Sequence, residues 1–249
     1  MQQLNGLLKP TSGKVLLKGK DIWAEPKKIR AIRFQVGMVF QYPEHQLFEE
    51  TVEKDIAFGP KNMGLSEEEI KRRVKMAAAF AGLKDNLLGA SPFEISGGEK
   101  RRAAIAGVIA MDPEVLILDE PTAGLDAKER IRFRNVISSL AADKIVILAT
   151  HIVTDIAYVA KTVVLMNDGR IIKTGTQEEL CSDISDKVWE ITAQSDKVMD
   201  YMNRMRVSNA VSDGNKYTLR IVSDEYPENG AVSVPPTLED VCIYYFGDM

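Results

Sequence analysis

The stretch VLILDE, residues 115–120, is an apolar run that ends in two adjacent carboxylates. A strand that is apolar throughout is typical of the interior of a parallel sheet, where both faces are covered. At the C-terminal edge of such a sheet, where ligands bind, Asp119 can hold Mg²⁺ and Glu120 can orient and polarise a water. Buried strands also often end in an acidic turn, so the neighbouring segments decide between a functional and a structural interpretation.

Apolar strands and helical patterns alternate around this stretch. VGMVF (36–40) lies upstream, and IVILAT (145–150) and TVVLM (162–166) lie downstream. Helical patterns at 127–142 and 154–160 separate the downstream strands. Apolar strands separated by helices indicate a parallel sheet covered on both faces, which predicts an α/β fold.

Shorter signals predict the remaining elements. MQQLNGLL at the start is interpreted as a short helix, and Ser66, followed by three glutamates, as the N-cap of a longer one. The turn at 167–169, NDG, predicts a hairpin. After about Cys181 the pattern changes: strand-like segments with an Asp-Gly turn, then TLEDVCIYYF (237–246), predict a small α+β appendage with a closing helix.

Composition excludes several classes of protein. The chain has 249 residues, 45% hydrophobic and 27% charged, and a net charge of −4, which argues against nucleic-acid binding driven by bulk charge. Two cysteines without metal-type spacing suit a reducing, cytosolic compartment. No apolar run approaches the roughly 20 residues of a membrane span, and no signal peptide is recognisable. Any membrane role is therefore expected through a partner.

Polar residues that suit a ligand site occur at predicted strand ends and helix starts: Gln41, Ser96, Gly97, Gly98, Asp126 and His151. The Ser-Gly-Gly within ISGGEKRR offers free amides and a positive dipole to a phosphate, although a simple helix cap explains it equally well. A lone histidine or glutamine at a strand end is also commonly structural. Their joint occurrence with Asp119 and Glu120, in this order, is hard to produce by packing alone and indicates function.

The segment KPTSGKVLLKG, residues 9–19, is not a phosphate-binding P-loop. That motif, G-x-x-x-x-G-K-[ST], needs an opening glycine and a final hydroxyl. Leu8 and Val15 occupy those positions. The turn formers Pro10, Ser12 and Gly13, followed by a strand-like run, predict a turn instead.

The series resembles the nucleotide-binding subunit of ATP-binding-cassette (ABC) transporters over roughly residues 1–180. The resemblance implies ATP and Mg²⁺ as ligands, with Mg²⁺ held through Asp119 and Gln41. It implies the following roles: Q-loop Gln41, signature motif Ser96, Gly97, Gly98 and Glu99 (where Gln is usual), Walker B strand ending at Asp119 with catalytic Glu120, D-loop Asp126 and switch His151. It also implies that the P-loop lies upstream of Met1, so that nucleotide binding by these residues alone is expected to be weak.

The sequence resembles two different subtypes of ABC-transporter ATPase in its two parts. The segments from FQYPEHQLFEE (40–50) to LILDEPTAGLD (116–126) look like the ATPases of energy-coupling-factor importers, which take up vitamins and metal ions. The part after residue 126 looks more like ATPases that export drugs or peptide antibiotics. Uptake is the leading interpretation, and export is the alternative.

The resemblance implies a P-loop NTPase-like ATPase domain over residues 1–180, with a helical subdomain at about 42–110. Residues 181–249 are predicted to form an accessory domain. The implied partners are transmembrane subunits and a second ATPase subunit, identical or different, at the cytoplasmic face of the membrane. A soluble ATPase of the same superfamily, or a non-catalytic module that lends Ser96–Gly98 to an intact partner, remain alternatives.

Overall fold

The structure is a computed structural model that describes residues 1–247. The chain divides after His151 into two compact units, which are described separately. The final residues of the predicted accessory domain, Asp248 and Met249, lie outside the described residues. None of the helices within residues 1–247 combines the length and apolar character that a membrane span needs.

The first unit is built on a parallel sheet. It begins with a short antiparallel hairpin of β1 (Leu16–Leu17) and β2 (Lys20–Asp21). The parallel sheet follows, in the order β3 (Val36–Val39), β4 (Val115–Asp119), β5 (Ile145–Ala149). The apolar part of β4 is buried, which confirms VLILD as a central strand. Within the described residues, β5 pairs with β4 alone, so its other edge is open.

Helices connect these strands. Within residues 1–151 they are α1 (Ile29–Gln35), α2 (Val52–Asn62), α3 (Glu67–Phe80), α4 (Gly97–Ile109) and α5 (Ala127–Leu140). Four of them begin at a side chain that accepts a hydrogen bond from the amide three residues later: Thr51, Ser66, Ser96 and Asp126. Such caps satisfy amides that have no partner inside the helix, and the predicted Ser66 cap is confirmed.

Residues 42–110, all of them described, contain helices and turns but no strand. Helix α2 packs against both α3 and α4. Gly59 permits a close approach to the end of α4, because a Cβ at this position would lie 2.5 Å from Cγ of Met111, just beyond that helix, and 3.5 Å from the carbonyl oxygen of Gly107 within it. The interval predicted as a helical subdomain is therefore helical, and its independence as a subdomain stays a prediction.

The second unit, residues 152–247, is mixed. Its strands are β6 (Val163–Asn167), β7 (Arg170–Gly175), β8 (Val188–Gln194), β9 (Arg206–Asp213), β10 (Lys216–Val222) and β11 (Val232–Ser233). Strands β6 and β7 form an antiparallel hairpin, and the other four form an antiparallel sheet in the order β11-β8-β10-β9. Its helices are α6 (Val153–Val159), α7 (Gln177–Ser182), α8 (Val198–Arg204) and α9 (Leu238–Phe246). Both predicted hairpins and the closing helix are confirmed.

Two apolar clusters stabilise the second unit. One contains Val163, Leu165, Leu180, Ile184, Val188, Leu238 and Val241. The other contains Ile191, Ala193, Val198, Leu219 and Ile221. The first cluster draws on residues both before and after position 180. The domain boundary predicted there stays a prediction, and Val188 packs against side chains on the earlier side of it.

Two local expectations are wrong. Residues 1–8 form turns rather than a helix, because Gly6 adopts a φ of +72° and the Asn5 side chain accepts a hydrogen bond from the Leu7 amide (3.2 Å). TVVLM does not join the parallel sheet, because the tight turn at Asp168 and Gly169, both with positive φ, pairs it with β7. In both places, local turn chemistry outweighs the apolar pattern.

Candidate functional site

Glu120 and His151 meet at the C-terminal edge of the parallel sheet. Strands β4 and β5 are paired in parallel, with Asp119 opposite Ala149, so the residues that follow each strand are neighbours. Oε1 of Glu120 accepts a hydrogen bond from the His151 amide (3.0 Å) and lies 2.8 Å from Nδ1 of its ring. Oε2 accepts a hydrogen bond from the Thr150 hydroxyl (3.2 Å). The carboxylate is thus held on both oxygens.

In this pair, the Glu120 carboxylate is largely buried and the His151 ring is exposed to solvent. The Glu120 side chain is 20% exposed, whereas the His151 side chain is 73% exposed. An ionised carboxylate only accepts hydrogen bonds, so Nδ1 is the donor beside ionised Glu120 and Nε2 remains available to a ligand. The arrangement can orient a water at the carboxylate and place a ring nitrogen against an anionic group.

The main chain at Glu120 is in the left-handed region, with a φ of +46°. This conformation costs a residue with a side chain about 1–2 kcal/mol. Hydrogen bonds hold it from both sides: the Glu120 amide donates to the Ala149 carbonyl (2.8 Å), and the Glu120 carbonyl accepts from the Ala123 amide (3.2 Å). Strain of this kind persists where the surroundings over-determine the geometry, and it is common at functional sites.

Gln41 follows β3, and its side chain is exposed. Its carbonyl accepts a hydrogen bond from Arg101 (3.2 Å), a buried residue of α4 that also donates to the carbonyl of Glu120 (3.2 Å). The sequence analysis missed Arg101. The signal was present, because Arg101 lies four and eight positions before Ile105 and Ile109, on the buried face of the helix.

Ser96 and Glu99 form a capping box at the start of α4. The Ser96 hydroxyl accepts from the Glu99 amide (3.4 Å), and the Glu99 carboxylate accepts from the Ser96 amide (2.9 Å). Hydrogen bonds from the Ser96 side chain and main chain lower the pKa of Glu99. A Cβ on Gly97 would meet nothing within 4 Å, and one on Gly98 would meet only side-chain ends at 3.6 Å and beyond. Packing within the chain therefore does not require either glycine, whereas an external group approaching the main chain would.

The structure gives the positions of the two other predicted site residues, Asp126 and Asp119, but does not test their predicted roles. Asp126 caps α5 by accepting from the Glu129 amide (2.8 Å), and Asp119 is the last residue of β4. Within residues 1–247, no three His, Cys, Asp or Glu side chains cluster as a metal site would. The roles of Asp119 and Gln41 toward Mg²⁺ stay predictions.

The structure thus brings some predicted residues together and keeps others apart. Glu120 and His151 are in contact, and Gln41 is linked to Glu120 through Arg101. In the described part of the chain, no hydrogen bond joins Ser96 to Glu120 or His151, so the glycine-rich helix start is a separate face. The TSGK segment is a bend with Gly13 at a φ of +76°, and the chain continues from it into β1 rather than into a helix.

Comparisons with known proteins show which family the chain resembles. A family model described as ABC transporter matches residues 1–123. Energy-coupling factor transporter ATP-binding protein EcfA2 of Caldanaerobacter subterraneus subsp. tengcongensis is 55% identical over 183 residues, 72% of this chain and 64% of that protein. The protein of the same name from Clostridioides difficile is 48% identical over 209 residues, 83% of this chain and 73% of that protein.

A solved structure is also similar. CbiO1 from Clostridium perfringens, described as part of the ABC transporter complex CbiONQ, has a TM-score of 0.65 and 38% identity, with 73% of each chain covered.

The chain spans only part of the curated relatives that it matches. It covers 64% of the length of the Caldanaerobacter protein and 65% of the length of the protein of the same name from Clostridium acetobutylicum.

Proposed function

The chain belongs to the family of ABC-transporter ATP-binding proteins, and we propose on that premise that it is the ATP-binding and ATP-hydrolysing subunit of an energy-coupling factor transporter. The observation that carries the proposal is the Glu120–His151 pair at the carboxyl edge of the sheet. The cargo class is that of energy-coupling factor uptake, a vitamin or a metal ion. Resemblance of the part after residue 126 to drug and peptide exporters keeps export as the second candidate.

Each site residue has a role in this mechanism. Glu120 orients the attacking water and accepts its proton, and His151 contacts the terminal phosphate through its exposed ring. Gln41 and Asp119 would hold Mg²⁺, which neutralises charge on the phosphates when bound. Hydrogen bonds from Thr150 and His151 to the two oxygens of Glu120 keep its carboxylate in one orientation.

The residues of this chain supply only part of the contacts that a bound ATP needs. The open glycines beside Ser96 can contact phosphate through main-chain amides at a helix start. No G-x-x-x-x-G-K-[ST] occurs within the 249 residues, so the phosphate cradle comes from other residues. We place one ATP against Glu120 and His151, with its phosphates held by a P-loop outside these 249 residues. A second ATP would lie between Ser96–Gly98 of this chain and the P-loop of a second ATP-binding subunit.

The contact with transmembrane subunits is assigned to the segment after Gln41. Phe48 and Phe58 are 58% and 44% exposed, and their rings pack edge to face at 4.9 Å. Exposed aromatic pairs are unusual on a solvated surface and common at protein interfaces. Docking through this pair would hold the chain at the cytoplasmic face of the membrane.

The proposal is tested by ATP hydrolysis in the complex that co-purifies with the tagged chain. Ser96→Arg should lower hydrolysis by about tenfold or more, because a long cation blocks the glycine face and the capping hydroxyl is lost. Ser66→Arg is the matched control, since Ser66 caps α3 in the same way but lies outside the site. Equal hydrolysis in the two variants, or a chain that captures no membrane subunit, would contradict the proposal.

A further inference from the structure

Arg101 connects three segments of the site. Arg101 is 6% exposed. Its guanidinium donates to the carbonyls of Gln41 (3.2 Å), Glu120 (3.2 Å) and Ala123 (3.0 Å). These acceptors lie 60, 19 and 22 positions from it in the sequence. They belong to the segments that follow β3 and β4 and to the turn that leads to α5.

The position of this arginine is energetically unusual. Within residues 1–247, no carboxylate lies within ion-pair distance of its guanidinium, and burial lowers its pKa. A buried charge without an ion-pair partner persists only where hydrogen bonds replace its water. Here those bonds go to main-chain carbonyls, and the rigid, planar fork of arginine fixes the three acceptors relative to one another.

Neighbouring arginines are held differently. Arg102 forms an ion pair with Glu129. Arg73 on α3 pairs with Glu69 and donates to the Met111 carbonyl (3.0 Å), beyond the end of α4 and away from the site. Arg101 is thus set apart by donating to the main chain on both sides of the site, at Gln41 and at Glu120.

The bond to Glu120 acts on the strained residue itself. The Glu120 carbonyl accepts from Arg101, while the Glu120 amide donates to Ala149 (2.8 Å), so the left-handed conformation is fixed at both ends. This conformation directs the carboxylate to the His151 amide (3.0 Å). Loss of the arginine would remove a donor from three carbonyls, leave the Glu120 carbonyl with the Ala123 amide (3.2 Å), and loosen the conformation of Glu120.

We propose that Arg101 is a positioning residue, which sets the conformation of Glu120 and couples it to Gln41 and to the turn before α5. Its significance for turnover rests on the proposed function. Through this side chain, a shift of the Gln41 segment on docking of a partner would be transmitted to Glu120. Arg101 itself contacts neither water nor phosphate in this role.

Amide hydrogen exchange at His151, measured by NMR on the full chain, tests the proposal without ATP. Arg101→Met should accelerate exchange of the His151 amide by about tenfold or more, because its acceptor Glu120 is released. Arg101→Lys should give an intermediate value, since an ammonium lacks the planar fork. Arg73→Met is the matched control, because it also removes donors to main-chain carbonyls, but at the far end of α4.

Exchange at His151 in Arg101→Met within about twofold of that in Arg73→Met would overturn the proposal. If Arg101→Met does not fold, the comparison of Arg101→Lys with Arg73→Met decides in the same way. In the co-purified complex, Arg101→Lys should lower kcat for ATP and leave KM unchanged. A wild-type complex without ATP hydrolysis would refute the proposed function, whereas the exchange result would still confirm or refute the positioning role.

Discussion

Glu120 combines a strained main chain with a carboxylate that is held on both oxygens. A glycine would occupy its left-handed conformation without strain, at a saving of about 1–2 kcal/mol, but would supply no carboxylate. The hydrogen bonds from Thr150 and His151 require an acceptor at this position. The conformational cost is therefore consistent with a chemical role for the side chain rather than with a role in turn formation.

Replacement of Glu120 by Gln tests that role. In the co-purified complex we expect ATP to bind as before and hydrolysis to slow by about 10²–10⁴-fold, because an amide keeps the shape but cannot accept a proton. Glu114→Gln makes the same change at the opposite end of β4, where Glu114 forms an exposed ion pair with Lys18. Turnover of the Glu120 variant equal to that of this control would remove Glu120 from the mechanism.

Among the elements, α9 is attached to its sheet by a buried charge. Asp240 is fully buried and accepts hydrogen bonds from Arg220 on β10 (2.9 Å) and from the amide and hydroxyl of Thr237, the N-cap of α9 (2.7 and 2.9 Å). Ser208 on β9 also donates to it. One carboxylate therefore caps the helix and joins it to two strands.

Asp240→Ala should destabilise the second unit by about 3–5 kcal/mol, because Thr237, Ser208 and Arg220 all lose their buried acceptor. The Arg220 guanidinium, whose side chain is 16% exposed, is left with the more exposed Glu190 (3.2 Å). Urea unfolding, followed by Trp189 fluorescence in a Trp23→Phe background, measures the change. Asp200→Ala removes an exposed pair with Arg204 on α8 and should cost about 0–1 kcal/mol. Similar costs for the two variants would show that the buried network adds little.

At the scale of the whole molecule, contacts group residues 152–180 with the tail rather than with the parallel sheet. The reason is the apolar cluster that joins Val163, Leu165 and Leu180 to Val188 and Leu238. The sheet of the second unit has a separate cluster of its own around Leu219. A fragment that lacks the residues up to 180 would lose Val163, Leu165 and Leu180 from the first cluster and would keep every buried residue of the cluster around Leu219.

Fragments that begin at residue 152 and at residue 181, both ending at 249, distinguish the two boundaries. We expect the longer fragment to unfold cooperatively and to be more stable by several kcal/mol, because each buried Val or Leu side chain contributes about 1.5–3 kcal/mol. Thermal unfolding followed by circular dichroism measures this difference. Equal stability would support an independent domain over residues 181–249, as the sequence predicts.

The sequence by itself determined the features that depend on local chemistry. The apolar run before Asp119 specified a buried parallel strand, Ser66 and Ser96 specified helix starts, and Asp168 with Gly169 specified a hairpin turn. It also predicted that Glu120 and His151 each follow an apolar strand, at the sheet edge where ligands bind. The parallel pairing of β4 with β5 then decided that the two side chains meet.

Tertiary structure alone decided what depends on residues distant in the chain. Arg101 meets its acceptors across 19 to 60 positions, and no local pattern encodes which carbonyls a buried guanidinium will reach. TVVLM has the apolar pattern of a parallel strand, yet pairing with β7 across a two-residue turn places it in the second unit. Periodicity shows which face of an element is apolar, whereas the choice of what covers that face depends on the rest of the fold.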